Sequence, residues 1–225
     1  LHRIANKTLI ERSLETVKQL GIKDIVVVVG YNNKLVKKVL EKYNVNTAVQ
    51  KRLLGSADAV KATKRYFRKF KENILLLYTD TPLLSKDTLK ALIDTHKGSD
   101  ATCTLLSACV RNSSGYGRIL RNDRGQIVAI VEEQDATASE KQITEINVGA
   151  YCFKKNELFD TVKKIKQNPK KKEFYLTDII KYLCEANLPM AACNRCSEEE
   201  SMGINSRQDL SDAEKIIRYR KIKQL

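Results

Sequence analysis

Tryptophan is absent from the 225 residues, proline occurs three times and glycine nine times. So little proline and glycine leaves no room for long linkers or low-complexity segments, and the length suits one large domain or a domain with a small appendage. No window approaches the ~20 apolar residues of a membrane span. No basic-then-apolar leader precedes a cleavage site within these residues. Histidine is limited to His2 and His96, both in or beside helical stretches and neither with a candidate partner, so covalent catalysis by a serine–histidine–acid arrangement is not expected. A P-loop and a dinucleotide GxGxxG are missing too. Acidic residues are few, 27 against 41 lysines and arginines, which leaves a formal net charge of +14. That balance favours anionic partners: nucleotides, nucleic acid or acidic membranes.

The lysines concentrate in Lys163–Lys172 and from Lys215 to Lys223. Neither cluster has interleaved aromatics of the kind that stack bases, so both read as solvated basic faces, and no specific nucleic acid is expected. Hydrophobic residues, at 42%, suffice for a core. The six cysteines (Cys103, Cys109, Cys152, Cys184, Cys193, Cys196) are scattered and read as free thiols of a reducing cytosol. Cys193 and Cys196 have metal or redox spacing, but no second pair or nearby histidine completes a site.

Periodicity divides the chain into two styles. Thr8–Leu20 predicts a helix stopped by Gly21, Asp24–Gly30 a buried strand, and Asn33–Tyr43 a helix with Leu35, Val36, Val39 and Leu40 on one face. Val45–Gln50 is a strand, Ser56–Phe67 a helix, Ile74–Tyr78 a fully buried parallel strand and Ser85–His96 a helix. This alternation predicts an α/β, doubly wound, mostly parallel sheet. After Asp100 the rhythm becomes hairpin-rich and antiparallel. Strands are expected at Ala101–Val110, after Gly115–Arg118, at Gln126–Glu132 beyond an Asn122–Gly125 turn, at Glu145–Phe153 and at Pro189–Cys193. Helices are expected at Lys154–Gln167, Leu176–Asn187 and Gln208–Ile222.

Three features bear on chemistry. Asp80 follows the apolar run Ile74–Leu77, and ligands in open α/β sheets sit just outside the carboxyl ends of strands. It reads as a hard-oxygen Mg²⁺ ligand in a nucleotide site or, equally, as a turn or capping aspartate. Gln50 ends a strand, and the loop to Gly55 and Ser56 enters a helix whose N-terminus favours anions. Asn205, before the last helix, reads as its N-cap or as a second oxygen ligand, the cap being the commoner use.

Several stretches then carry a resemblance together: Leu1–Lys7, Gln50 with Leu54–Ala59, Leu77–Leu83, Gly115–Ile119, Ile130–Ala136, Glu145–Gly149, Glu173–Asp178 and Gly203–Arg207. The chain resembles the uridylyltransferase domain of the bacterial bifunctional N-acetylglucosamine-1-phosphate uridylyltransferase/glucosamine-1-phosphate acetyltransferases, over essentially its whole length. The resemblance implies the Rossmann-like sugar-nucleotidyltransferase fold and a cytoplasmic enzyme. It would transfer UMP from UTP to N-acetylglucosamine 1-phosphate, releasing pyrophosphate and making UDP-N-acetylglucosamine for peptidoglycan and lipopolysaccharide synthesis. Asp80 and Asn205 match the family's Mg²⁺ ligands. Gln50, Gly55 and Ser56 match uridine and phosphate contacts; Tyr78, Thr79, Gly117, Glu132 and Asn147 match the rest of the pocket; Tyr175 and Thr177 match its sugar end. Alternatives are a different base or sugar, or a non-catalytic remnant that binds an acidic partner such as RNA.

The resemblance also frames expectations about what is not here. The family opens with a strand and a Leu-Ala-Ala-Gly-x-Gly-Thr-Arg-Met phosphate loop, whereas this sequence begins at Leu1, as a segment of a longer gene product would. That strand would lie inside the sheet, and its side chains would contribute ~1.5–3 kcal/mol each to a domain stable by ~5–15 kcal/mol. The chain is therefore expected to be weakly stable and inactive alone. Residues 1–99 are expected to form the nucleotide-binding half, 100–205 the mixed sugar-binding half, and 206–225 a helix leading to a hexapeptide-repeat domain that is absent, leaving a monomer. Asn6 stands where glycine is usual, a position asparagine tolerates. Ser56 replaces a threonine and keeps its hydroxyl. Thr79 replaces a glycine beside the metal ligand, which is expected to crowd the pocket.

Overall fold

The computed structural model describes residues 2–31 and 33–223, so the Leu1 end of the first matched stretch lies outside the described residues. A small hairpin, β1 (Arg3–Ile4) and β2 (Lys7–Thr8), turns through Ala5 and Asn6 at φ 43° and 68°. Two successive positive φ values are what a tight hairpin needs, and asparagine meets the second without glycine. Thr8 then caps α1 (Leu9–Gln19) in a reciprocal capping box with Glu11. The Thr8 backbone N–H holds the Glu11 carboxyl down to about 2 against the opposing effect of burial.

The next elements are β3 (Val26–Val29), α2 (Lys34–Leu40), β4 (Asn46–Val49), α3 (Ser56–Thr63, continued by one 3₁₀ turn), β5 (Ile74–Leu77) and α4 (Lys86–Ser99). They are followed by β6 (Cys103–Cys109), β7 (Arg118–Arg121), β8 (Ile127–Val131), β9 (Glu145–Phe153), α5 (Lys155–Thr161), α6 (Ile179–Glu185), β10 (Met190–Cys193) and α7 (Arg207–Ile222). Helices cover both faces of the larger sheet. Along β9, Tyr151 and Phe153 pack with Leu158, Ile180 and Leu183, while Ala150 and Cys152 pack with Leu89 and Leu92 of α4. This is the period-two alternation of a strand buried on both sides.

The α/β class holds, but "mostly parallel" does not. The six-stranded sheet is mixed, in the order β10-β6-β9-β7-β8 with β5 also on β9, and only β10 and β6 pair in parallel. β5, expected as a fully buried parallel strand, pairs antiparallel with β9 alone among the described strands. The long strand β9 explains this, because it runs through the centre and turns its neighbours into antiparallel partners. β3 and β4 form a separate parallel pair.

Two smaller corrections follow from packing. Leu35 is 70% exposed rather than on the inner face of α2, since α2 is short and only Leu40 is buried. The helix expected to reach Gln167 ends at Thr161, and the lysine-rich stretch after it forms turns. All six cysteines are free, as expected, and burial pushes the Cys152 and Cys196 thiols up to about 12.

Candidate active site

The site grows from a fork in the sheet. On one side β9 is followed along most of its length by β6. On the other side its second half, Ala150–Phe153, pairs with β5, and its first half meets β7 at Ile146. The two partners diverge around Gly149, whose φ of 82° breaks the strand geometry. A Cβ on Gly149 would lie 2.7 Å from the Tyr78 ring, so glycine is needed for space as well as for backbone conformation. The last bonds on each side of the fork are Tyr78 N–H to Gly149 O (3.2 Å) and Asn147 N–H to Gly117 O (2.8 Å). Tyr78, Gly117 and Asn147, which the resemblance assigns to one pocket, are thereby brought to one crevice. A place where neighbouring strands part is where α/β sheets bind ligands.

On one flank of the crevice stand Gln50, Gly55 and Ser56. Gln50 is buried, and its amide nitrogen donates to Gly55 O and Asp58 Oδ2, both at 3.0 Å. Its carbonyl oxygen is therefore the end it can present to a ligand. Gly55, at φ 98°, precedes α3, and a Cβ there would sit 2.6 Å from Phe174 O. The close approach that glycine permits is thus made by the chain's own backbone. Phe174 O accepts from Ala57 N (2.9 Å), and the Ser56 hydroxyl accepts from Leu176 N (2.9 Å). Part of the anion-binding capacity expected of this helix N-terminus is already used to hold the loop carrying Tyr175 and Thr177. Burial raises the Tyr78 hydroxyl above its ordinary value, with the neighbouring Ser56 hydroxyl opposing.

The opposite flank holds Glu132. Its carboxylate accepts from the Thr177 hydroxyl at 2.7 Å and lies 3.5 Å from where a Gly117 Cβ would be. Burial pushes the Glu132 carboxyl above its usual range, the Thr177 hydroxyl opposes this, and the negative charges of Asp178 and Asp135 add to the rise. The Tyr175 hydroxyl accepts from Gln134 Nε2 at 2.8 Å, which anchors it to the segment carrying Glu132.

Asp80 sits at the mouth, in a turn after β5. Its backbone carbonyl accepts from Ile204 N at 2.8 Å, so Asn205, the next residue, is carried to the same mouth. The Asp80 Oδ1 atom is buried with no hydrogen-bond partner, and desolvation raises its carboxyl above the usual range. Asn205 is not the cap of α7. Ser206 is, through a capping box with Asp209, and this leaves the exposed Asn205 side chain uncommitted. An orphaned carboxylate oxygen and a free amide oxygen suit a small, oxygen-seeking cation that takes its remaining ligands from phosphates and water. Among the described residues no three His, Cys, Asp or Glu side chains cluster to form a closed metal cage. Thr79 is exposed beside Asp80, so its branched side chain faces the open mouth rather than the core.

Sequence reasoning gave no role to a clamp beneath the crevice. Arg118 is almost fully buried and pairs with Glu133 at 2.6 Å, and Glu133 also accepts from Gly115 N at 3.1 Å. Together they lock both ends of the Gly115–Arg118 turn to the residue following Glu132. The available signal was an arginine inside a strand pattern, a residue seldom buried without a charged partner.

The family model described as nucleotidyl transferase matches residues 1–198. Two curated relatives are named bifunctional protein GlmU. The one from Clostridium kluyveri is 39% identical over 98% of this chain and 48% of its own length. The one from Clostridioides difficile is 37% identical over 98% of this chain and 48% of its own length. The chain spans about half the length of the curated relatives it matches. Among solved structures, a UDP-glucose pyrophosphorylase complexed with UDP-glucose superimposes with a TM-score of 0.71, at 16% identity, over 98% of this chain and 89% of that one. At that identity the likeness shows the fold alone. No helix among the described residues is long and apolar enough to cross a membrane.

Proposed function

The chain belongs to the nucleotidyl transferase family, and from that premise we propose that its site transfers the UMP unit of UTP to N-acetylglucosamine 1-phosphate. In this reaction an oxygen of the sugar phosphate bonds to the α-phosphorus of UTP. The bond from that phosphorus to the α–β bridging oxygen breaks, and pyrophosphate leaves. No protein nucleophile is needed, so what the residues supply is positioning and charge. Asp80 and Asn205 would hold Mg²⁺, which would supply positive charge against the phosphates.

The other residues divide by flank. The free carbonyl oxygen of Gln50 and the loop at Gly55 and Ser56 take the uridine and its first phosphate. Tyr78, with Thr79 after it, closes the crevice between the flanks. Glu132, Asn147 and Gly117 hold the sugar, with Tyr175 and Thr177 lining its far end. The raised Glu132 carboxyl lies in a dry setting where hydrogen bonds to sugar hydroxyls are strong. The observation that carries the reading is the pairing at the mouth: Asp80 Oδ1 lacks a partner while the Asp80 carbonyl holds Ile204, the neighbour of Asn205.

Ligand binding tests the reading without requiring turnover. With Mg²⁺ present, UDP-N-acetylglucosamine should raise the melting temperature more than UDP-glucose or ADP-glucose does, and Glu132→Gln should weaken that effect at least tenfold in ligand concentration. Pyrophosphate release from UTP and N-acetylglucosamine 1-phosphate, where detected, should vanish in Asp80→Ala. Equal response to all three sugar nucleotides, or none, would sink the uridine and N-acetylglucosamine assignment.

A further inference from the structure

The positive charge is not spread evenly over the surface. Residues 61–72 and 154–173, 32 of the 225, hold fourteen of the 41 lysines and arginines but only four of the 27 acidic residues, so +10 of the net +14 lies there. The two stretches are far apart in sequence, and folding joins them. The 3₁₀ turn Lys64–Phe67 that continues α3 packs against α5, with the Phe67 and Phe159 ring centroids 6.0 Å apart. That apolar contact sets the Lys64 ammonium within hydrogen-bond reach of Lys163, which pulls Lys64 below its ordinary value, and the positive charge of Lys155 adds to the effect.

Most of these side chains are exposed, among them Lys64, Arg68 and Lys69 on one stretch and Lys163, Lys164 and Lys166 on the other. Among the described residues only Lys154, Lys163 and Lys170 of the fourteen form ion pairs. The basic end of the chain is built differently. Along α7, Lys215, Arg218 and Arg220 are matched by Asp212, Glu214 and Glu199. Like charges gathered without counterions repel one another, and a polyanion laid across them would relieve that repulsion.

The basic face also stands apart from the crevice. α3 has its first residue, Ser56, at the crevice and the Lys64 turn at its other end. α5 follows Phe153, the end of β9 away from the fork at Gly149. The face therefore does not depend on which reaction the crevice supports.

Its chemistry narrows the partner. Twelve of the fourteen cations are lysines, which act as point charges toward phosphate and lack the planar fork that arginine offers to a base edge. Tyr66 is not free to stack a base, because its hydroxyl donates to Thr47 O and the Arg65 guanidinium lies 4.8 Å over its ring. The exposed large apolar side chains, Tyr31, Leu35, Leu53, Tyr219 and Ile222, all lie outside the two stretches, so the face lacks the apolar anchor that accompanies stable membrane attachment. We propose that this face binds double-helical nucleic acid through its phosphate backbone, without reading base sequence. A duplex presents one negative charge per ~1.7 Å of axis, the extended anion that a two-segment basic surface fits.

The test is fluorescence anisotropy of the full chain with short labelled RNA and DNA duplexes. Duplexes of different sequence should bind alike, and affinity should fall roughly a hundredfold between about 50 and about 200 mM salt, as release of about four counterions requires. Two triple variants, Lys64→Gln with Arg68→Gln and Lys69→Gln, and Lys163→Gln with Lys164→Gln and Lys166→Gln, should each weaken binding at least tenfold and lower the salt slope by about two. Lys215→Gln with Arg218→Gln and Lys221→Gln removes the same charge from α7 and should leave binding within twofold. Equal loss in the α7 variant would overturn the proposal, because net charge rather than this face would then hold the duplex. Absence of duplex binding would overturn it too, as would a tenfold sequence preference or displacement of the duplex by UDP-N-acetylglucosamine. Binding to phosphatidylserine vesicles in place of the duplex would overturn it in favour of a lipid surface. Loss of the sugar-nucleotide response with intact duplex binding would count against the enzymatic reading alone.

Discussion

Asp80 concentrates the residue-scale argument, because it carries a carboxylate oxygen buried without a partner. Its folded pKa is raised by burial above the ordinary value of 3.8, partly opposed by a hydrogen bond from its own backbone. Such a group binds its proton more tightly in the folded chain. Its contribution to stability is therefore full below the ordinary value and is lost as pH rises through the raised folded value. In metal-free buffer, Asp80→Asn should melt above the parent chain at pH 7, and the gap should close toward pH 3. A pH-independent gap would mean that the amide stabilises by packing rather than by removing charge. Asn205 shows the complementary point: its neighbour Ser206 takes the capping task, so asparagine at this position is not explained by the helix.

Elements, rather than single residues, decide how the loop over α3 is held. Gly55 sits at φ 98° directly under the Phe174 backbone, and Phe174 N donates to Leu54 O at 2.7 Å while Phe174 O accepts from Ala57. Gly55→Ala must relieve a 2.6 Å contact with backbone, which has no flexible end to move. A strained φ costs on the order of 1–3 kcal/mol, so urea unfolding should show a loss of about that size or more. Because the same loop carries Tyr175 and Thr177, sugar-nucleotide binding should weaken along with stability. Unchanged stability with lost binding would place the requirement for glycine at the ligand rather than at Phe174.

For the whole molecule, the decisive feature is that the larger sheet and the β3–β4 pair are separate. Two strands alone are marginal, and this pair keeps its place through α1, α2 and a core of Ile10, Leu14, Val27, Val29 and Leu40. Amide exchange should therefore be much faster in Val26–Val29 and Asn46–Val49 than in Cys103–Cys109 and Glu145–Phe153, and urea should release the first group before the second. Uniform protection across both sheets would contradict this.

Local physics in the sequence determined the elements. The helix starts at Thr8 and Ser85, the Asn122–Gly125 turn and the turn at Asn6 form as the residues suggest, because each depends on neighbours within a few positions. Individual site residues such as Asp80 and Gln50 were visible as polar groups at strand ends for the same reason. Strand pairing was not legible. An apolar run such as Ile74–Leu77 reads the same whether its partner is parallel, antiparallel or missing on one edge, since side-chain alternation reports burial and not direction. Only the tertiary structure put β9 at the centre, split its partners at Gly149, paired Arg118 with Glu133 and left an apolar slot between β3 and β5. These are contacts between segments tens of residues apart, and their energies depend on what fills the space between them.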